Sequence, residues 1–158
     1  MAFKVFISHS ARDQGLVIAL SNLLAKYGID VTVADWYLEP GTEIQKSILR
    51  QIDNSDCVIV LMTPSGARAN WIHLEVGYAL KAGKVIIPLV EKGVEADQLK
   101  ALGSLNIIEY DPQRPHEAIS KASSYVTTLK LKKQERDNTL LIVGGILAFL
   151  LLLYAAEE

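Results

Sequence analysis

Apolar positions along the first 130 residues follow two alternating periods. FKVFIS at 3–8, Ile29–Ala34, CVIVLM at 57–62, Val85–Val90 and Asn106–Tyr110 are short β-forming runs that predict five strands. Between them, apolar residues recur three and four apart, as in Leu16, Leu20, Leu23, Leu24 and Tyr27, or Ile44, Ile48, Leu49 and Ile52, and predict helices. Ser10 to Asp13 and Thr42 to Gln45 have the hydroxyl-x-x-acid or amide pattern of a capping box, and Gly28 and Gly83 stand where helices should stop. Pro115 opens a last helix carrying Ile119, Ala122, Val126 and Leu129. Cys57–Met62 is apolar without interruption, the mark of a strand buried on both faces, whereas Pro88 favours an edge or a strand end. Residues 91–104 read as a loop with one short helix. Five βα units with short connections predict an α/β fold: a five-stranded parallel sheet with helices on both faces.

The end of the chain has neither period. Residues 139–156, TLLIVGGILAFLLLLYAA, carry no charge and would span about 27 Å as a helix. The cation-rich flank Lys130–Asp137 precedes them, and MAFKVFISHS does not resemble a cleaved secretory signal. This pattern predicts a C-terminal transmembrane helix in the lipid bilayer, with the domain before it facing the cytoplasm. The partition is then a domain over 1–130, a charged juxtamembrane linker over 131–138, the span over 139–156 and a tail of Glu157 and Glu158. A helix that docks on the domain or joins copies in water is the alternative, set against by the lack of any polar face. Gly144 and Ala148 form a small-xxx-small pair that permits close helix approach.

Composition narrows the chemistry. Half of the 158 residues are hydrophobic, with the excess in that last tract. Ahead of it 16 cations face 16 anions, so the body is neutral and lacks the basic surface that nucleic-acid binding needs. One cysteine, Cys57, excludes a disulfide framework and reads as a small core residue. His9, His73 and His116 are scattered without ligand spacing, so no metal site is expected. There is no G-x-G-x-x-G and no phosphate loop, and the first and third strands end in Ser8-His9 and Met62-Thr63 rather than in a receiver's carboxylates.

In folds of this class ligands sit beyond the carboxyl ends of the strands, which directs attention to 8–13, 35–41 and the stretch from Thr63 into the helix beginning near Asn70. On that helix Trp71, Leu74, Tyr78, Ala79 and Ala82 form an apolar stripe, and Glu75 falls inside it, four residues after Trp71. A carboxylate so flanked is desolvated, which raises its pKa and is costly without a hydrogen-bond donor. A surface glutamate or a structural ion pair would fit the same spacing. His73 points elsewhere on the helix. Arg12 suits either an ordinary surface charge or an anion at the pocket mouth, and Asp35 and Glu39 suit a turn. Trp36 and Tyr37, adjacent aromatics in a loop, are better explained by a partner or ligand.

FISHSARD at 6–13, DWYLEPG at 35–41 and Trp71-x-x-x-Glu75, in this order on five βα units, resemble a TIR (Toll/interleukin-1 receptor) domain of the compact bacterial and archaeal kind. The likeness covers about residues 3–130 and implies the flavodoxin-like TIR fold. The family's third box, an aromatic pair near the last helix, has no counterpart. The resemblance implies that Glu75 is the catalytic glutamate of an enzyme cleaving the nicotinamide–ribose bond of NAD+, taken as substrate without further cofactor. It implies that Ser8, Ser10, Arg12, Asp35, Trp36 and Trp71 line the substrate pocket. It also implies that the loop Trp36, Tyr37, Leu38, Glu39, Pro40 and Gly41 mediates assembly with itself or other TIR domains. The product would be ADP-ribose or a cyclic ADP-ribose, with a role in antiviral defence. A non-catalytic TIR scaffold and a nucleoside deoxyribosyltransferase-like enzyme remain as alternatives.

Overall fold

The computed structural model describes residues 2–9, 14–33, 42–64, 70–103 and 105–156. Strand β1 (Lys4–Ser8) leads to α1 (Gln14–Lys26), β2 (Asp30–Val33), α2 (Thr42–Asp53), β3 (Cys57–Met62), α3 (Asn70–Lys81) and β4 (Val85–Glu91). A 3-10 helix (Ala96–Leu102), β5 (Ile108–Tyr110) and α4 (Pro115–Ala156) complete the order. All strand pairs are parallel, in the order β2-β1-β3-β4-β5, which is the flavodoxin-like arrangement.

Strand periodicity sorts the core. Phe6, Val58, Val60, Met62, Ile86 and Val90 join Ile48 and Ile52 of α2 and Val76 and Ala79 of α3 in one buried cluster. The intervening residues, such as Val5, Ile7, Ile59 and Leu61, are buried on the other face of the sheet. β3 is buried along its whole length, as its apolar run predicts. Its Cys57 is a free, buried thiol pushed up to about 12 by desolvation and by the neighbouring Asp56 charge, which keeps it inert.

Two helix ends share one device. Gly28 and Gly83 adopt φ of 72° and 71°, conformations that suit glycine, and let the chain fold back on the helix just completed. The N–H of Ile29 then bonds the Leu24 carbonyl at 3.2 Å, and that of Lys84 the Ala79 carbonyl at 3.0 Å, as in a Schellman motif.

Three expectations are sharpened or changed. Pro88 lies within β4 rather than at its end, in register with Val60 of β3, while the β5 pairing starts only at Leu89. On the β5 side, β4 is therefore still an edge at the proline. β5 is shorter than expected, starting at Ile108. The third change concerns the C-terminal transmembrane helix, and with it the bilayer as partner and a single-pass, membrane-anchored location. No helix among the described residues is long and apolar enough to cross a membrane. Residues 139–156 are not a separate span but the continuation of the 42-residue α4, which carries the charged stretch 130–137 in the same helix. Their length of about 27 Å also falls short of a hydrocarbon core of about 30 Å. The chain forms two compact units, Met1–Tyr125 and Val126–Glu158; the first holds the sheet, and the second holds the part of α4 from Val126 to Ala156.

Candidate functional site

The strand order reverses between β1 and β3, and the crevice at the carboxyl ends of those two strands is where α/β sheets bind ligands. Ser8 ends β1 and is followed by His9; Thr63 follows the last residue of β3. All three are buried, an unusual concentration of polar side chains at one place in an apolar sheet.

α3 brings an acid to this point. Its buried face is Glu75, Val76 and Ala79, while Leu74 is 61% exposed, Leu80 is exposed and Tyr78 is half-buried. The helix is thus turned relative to the stripe expected from Leu74 and Tyr78, and Glu75 sits inside the buried face, 3% exposed. The Ser8 hydroxyl donates a hydrogen bond to Glu75 Oε2. Glu75 Oε1 is buried and has no partner among the described residues. Loss of water raises the carboxyl from 4.5 to about 8, with the Ser8 hydrogen bond pulling the other way. Burial thus favours the neutral acid over the carboxylate.

α3 is held to its neighbours by a second polar contact. The Tyr78 hydroxyl lies 2.8 Å from both carboxylate oxygens of Asp53, at the end of α2, and Lys84 Nζ donates to the Asp53 carbonyl at 2.8 Å. Because Tyr78 follows Glu75 by three residues, this contact fixes the roll of the helix that carries the acid.

Of the expected site residues, the structure brings Ser8 and Glu75 together. Trp71 is on α3 one turn before Glu75. Ser10, Arg12, Asp35 and Trp36, and the rest of the loop through Tyr37, Leu38, Glu39, Pro40 and Gly41, lie outside the described residues. His9 and Thr63 were not foreseen; the available cue was a polar residue directly closing an apolar strand. Among the described residues no group of three His, Cys, Asp or Glu side chains is placed to hold a metal ion.

Residues 5–122 match the TIR domain family. A 2' cyclic ADP-D-ribose synthase of Bacteroides thetaiotaomicron is 28% identical over 108 residues, 65% of this chain and 38% of that protein. The chain thus spans well under half the length of this relative. A CMP N-glycosidase of Clostridium botulinum superposes with a TM-score of 0.60 at 20% identity, covering 77% of this chain and 98% of that one. The heterodimer of the RPS4 and RRS1 TIR domains gives a TM-score of 0.64 at 13% identity, covering 82% and 98%. At these identities the structural likeness is one of fold.

Proposed function

The chain belongs to the TIR domain family, and we propose that it cleaves the N-glycosidic bond between nicotinamide and ribose in NAD+. The observation that carries this reading is Glu75: a buried acid at the switch point, one oxygen held by Ser8 and the other without a partner among the described residues. Nicotinamide leaves from a ring that already bears positive charge, so departure needs no proton donor. The ribose gains oxocarbenium character as the bond lengthens; positive charge beside Glu75 favours its ionised form over the neutral acid, and the resulting carboxylate stabilises the developing charge. Capture of C1′ by water gives ADP-ribose. Capture by a hydroxyl of the same molecule gives a cyclic ADP-ribose, the product class in the name of the Bacteroides relative.

The supporting roles follow the family pattern. Trp71 packs against the substrate from one turn before Glu75; Ser10, Arg12, Asp35 and Trp36 line the pocket, and the loop 36–41 joins two copies so that activity rises with self-association.

A second reading is favoured by the raised pKa of Glu75, because a protonated carboxyl can also hand a proton to an uncharged leaving base. That would make the chain an N-ribosidase of ordinary nucleotides. Both readings are tested by incubating the full chain at increasing concentration with NAD+ and, separately, with CMP. Nicotinamide release that falls by at least about a thousandfold in Glu75→Ala supports the first, by analogy with loss of a principal electrostatic group. Cytosine release without nicotinamide release supports the second. Equal nicotinamide release by both proteins removes Glu75 from the mechanism.

A further inference from the structure

The helix that carries the acid is held in a phase that its own side chains do not favour. Successive residues of an α-helix are about 100° apart, so Val76 and Ala79 mark the middle of the buried face of α3. Glu75 and Tyr78 then lie on one flank of that face and Leu80 on the other. Glu75 and Leu80 are equally far from the middle, about 70° each way. Yet Glu75 is 3% exposed and Leu80 is 44% exposed. Hydrophobic preference would place the leucine inside and the acid outside. A roll of α3 toward Leu80 buries apolar surface and returns the carboxyl to water, and both changes are favourable. α3 packs on the 3-10 helix as well as on α2, and Val94 and Leu99 offer partly buried apolar surface beside the same core. On a helix about 5–6 Å in radius, a roll of about 20° moves the carboxyl by about 2 Å, enough to break its bond to Ser8.

Two pins on the Glu75 flank oppose that roll. One is the Ser8 hydroxyl bound to Glu75 itself. The other is Tyr78, whose hydroxyl lies 2.8 Å from both carboxylate oxygens of Asp53. Asp53 is a firm anchor. It ends α2, and its carbonyl accepts Lys84 Nζ at 2.8 Å. Directly after it the N–H of Asn54 bonds the Arg50 carbonyl at 3.0 Å, and that of Ser55 bonds the Ile52 carbonyl at 3.1 Å. We infer that Tyr78 and Asp53 are a positioning pair for Glu75, holding α3 against a roll that would exchange Glu75 for Leu80 in the buried face. The pair thereby sets the fraction of chains whose acid faces the crevice. Both residues act through Glu75 rather than on the substrate. The inference rests on the NAD+ reading above for its effect on activity, and on the helix geometry alone for the roll. Because the Tyr78–Asp53 contact is exposed to solvent, its loss shifts the balance several-fold rather than abolishing the crevice-facing state.

The test follows nicotinamide release from NAD+ by the full chain. Tyr78→Phe and Asp53→Ala should each lower kcat about three- to tenfold with KM changed by less than about twofold, and the two together should do no more than either alone. Asp53→Asn keeps an acceptor for the tyrosine and should recover most of the loss. Leu80→Lys alone should leave activity at the wild-type level. Added to Tyr78→Phe it should restore kcat, because a lysine there cannot be buried in exchange for the acid. A general loss of packing would not be mended by a second surface substitution. The roll is also read without catalysis. Cys57 is buried and inert, so the thiol introduced by Leu80→Cys is the one that reacts, and its alkylation should slow at least about threefold when Tyr78→Phe is added. Additive losses in the double variant, no rescue by Leu80→Lys, or an alkylation rate that Tyr78→Phe leaves unchanged or raises overturns the inference and leaves the proposed activity standing. A wild-type chain that releases no nicotinamide overturns the NAD+ reading, and the alkylation rates then decide the roll by themselves.

Discussion

Two acids on the carboxyl rim of the sheet experience opposite environments. Asp111, just after β5, accepts the backbone N–H of Gln113 at 2.9 Å and lies 3.6 Å from Lys92 Nζ. The backbone bond, with Lys92 and the nearby Arg114, holds its carboxyl below the ordinary carboxylate range. Glu75 has one neutral donor among the described residues and is pushed to about 8. The same functional group is thus stabilised as an anion at the edge strand and as a neutral acid at the switch point. Asp111 has its ionic demands met within the chain and asks nothing of a ligand. Among the described residues Glu75 retains an unmet one, in the place where this fold class binds its ligands.

The contrast can be broken most forcefully through the pH dependence of stability. Glu75 has a higher pKa in the fold than its ordinary 4.5, so the folded state binds the proton more tightly. Its contribution is fully present below pH 4.5, is lost as pH rises, and is exhausted above about 8. The loss over that window is on the order of 5 kcal/mol. Melting temperatures of the wild type should fall from pH 5 to 8 more steeply than those of Glu75→Gln; parallel curves would show that Glu75 is not buried as described.

Ser8→Ala is the next largest perturbation. It strips Glu75 Oε2 of its donor, which costs about 1–3 kcal/mol, and raises the ionisation midpoint of Glu75 further because the bond favours the anion. Nicotinamide release should fall about tenfold with its pH profile displaced upward, and Ser8→Thr, which keeps the hydroxyl, should recover most of both. An unshifted profile would remove Ser8 from the control of Glu75. Asp111→Asn should do least, leaving nicotinamide release and the melting temperature at pH 7 unchanged. A clear loss of either would mean that the edge-strand ion pairs matter to the site.

Much of this arrangement was legible in the sequence. The five strands, the glycine stops at Gly28 and Gly83 and the inward position of Glu75 follow from local period and turn chemistry, which act over a few residues. The phase of α3 was not, because a glutamate counts as polar in any hydrophobic pattern. The buried face centred on Glu75, Val76 and Ala79 was therefore drawn towards Leu74, which is exposed. His9 and Thr63 read as the start of loops, since nothing local distinguishes a polar residue leaving a strand from one buried in a crevice. Pro88 meets the expected edge without lying at a strand end, for a topological reason: a central strand can still be an edge over the part that its short neighbour does not reach. The tract 139–156 looked like an independent span because a run of apolar residues does not reveal that it shares one helix with the charges before it.

The burial of Cys57 has a consequence for work at the bench. It is the one thiol in the chain, lies fully covered in β3 and has its acidity suppressed. Reagents that need a thiolate cannot reach it while the sheet is intact, so its alkylation clocks the opening of the central strand without an engineered label.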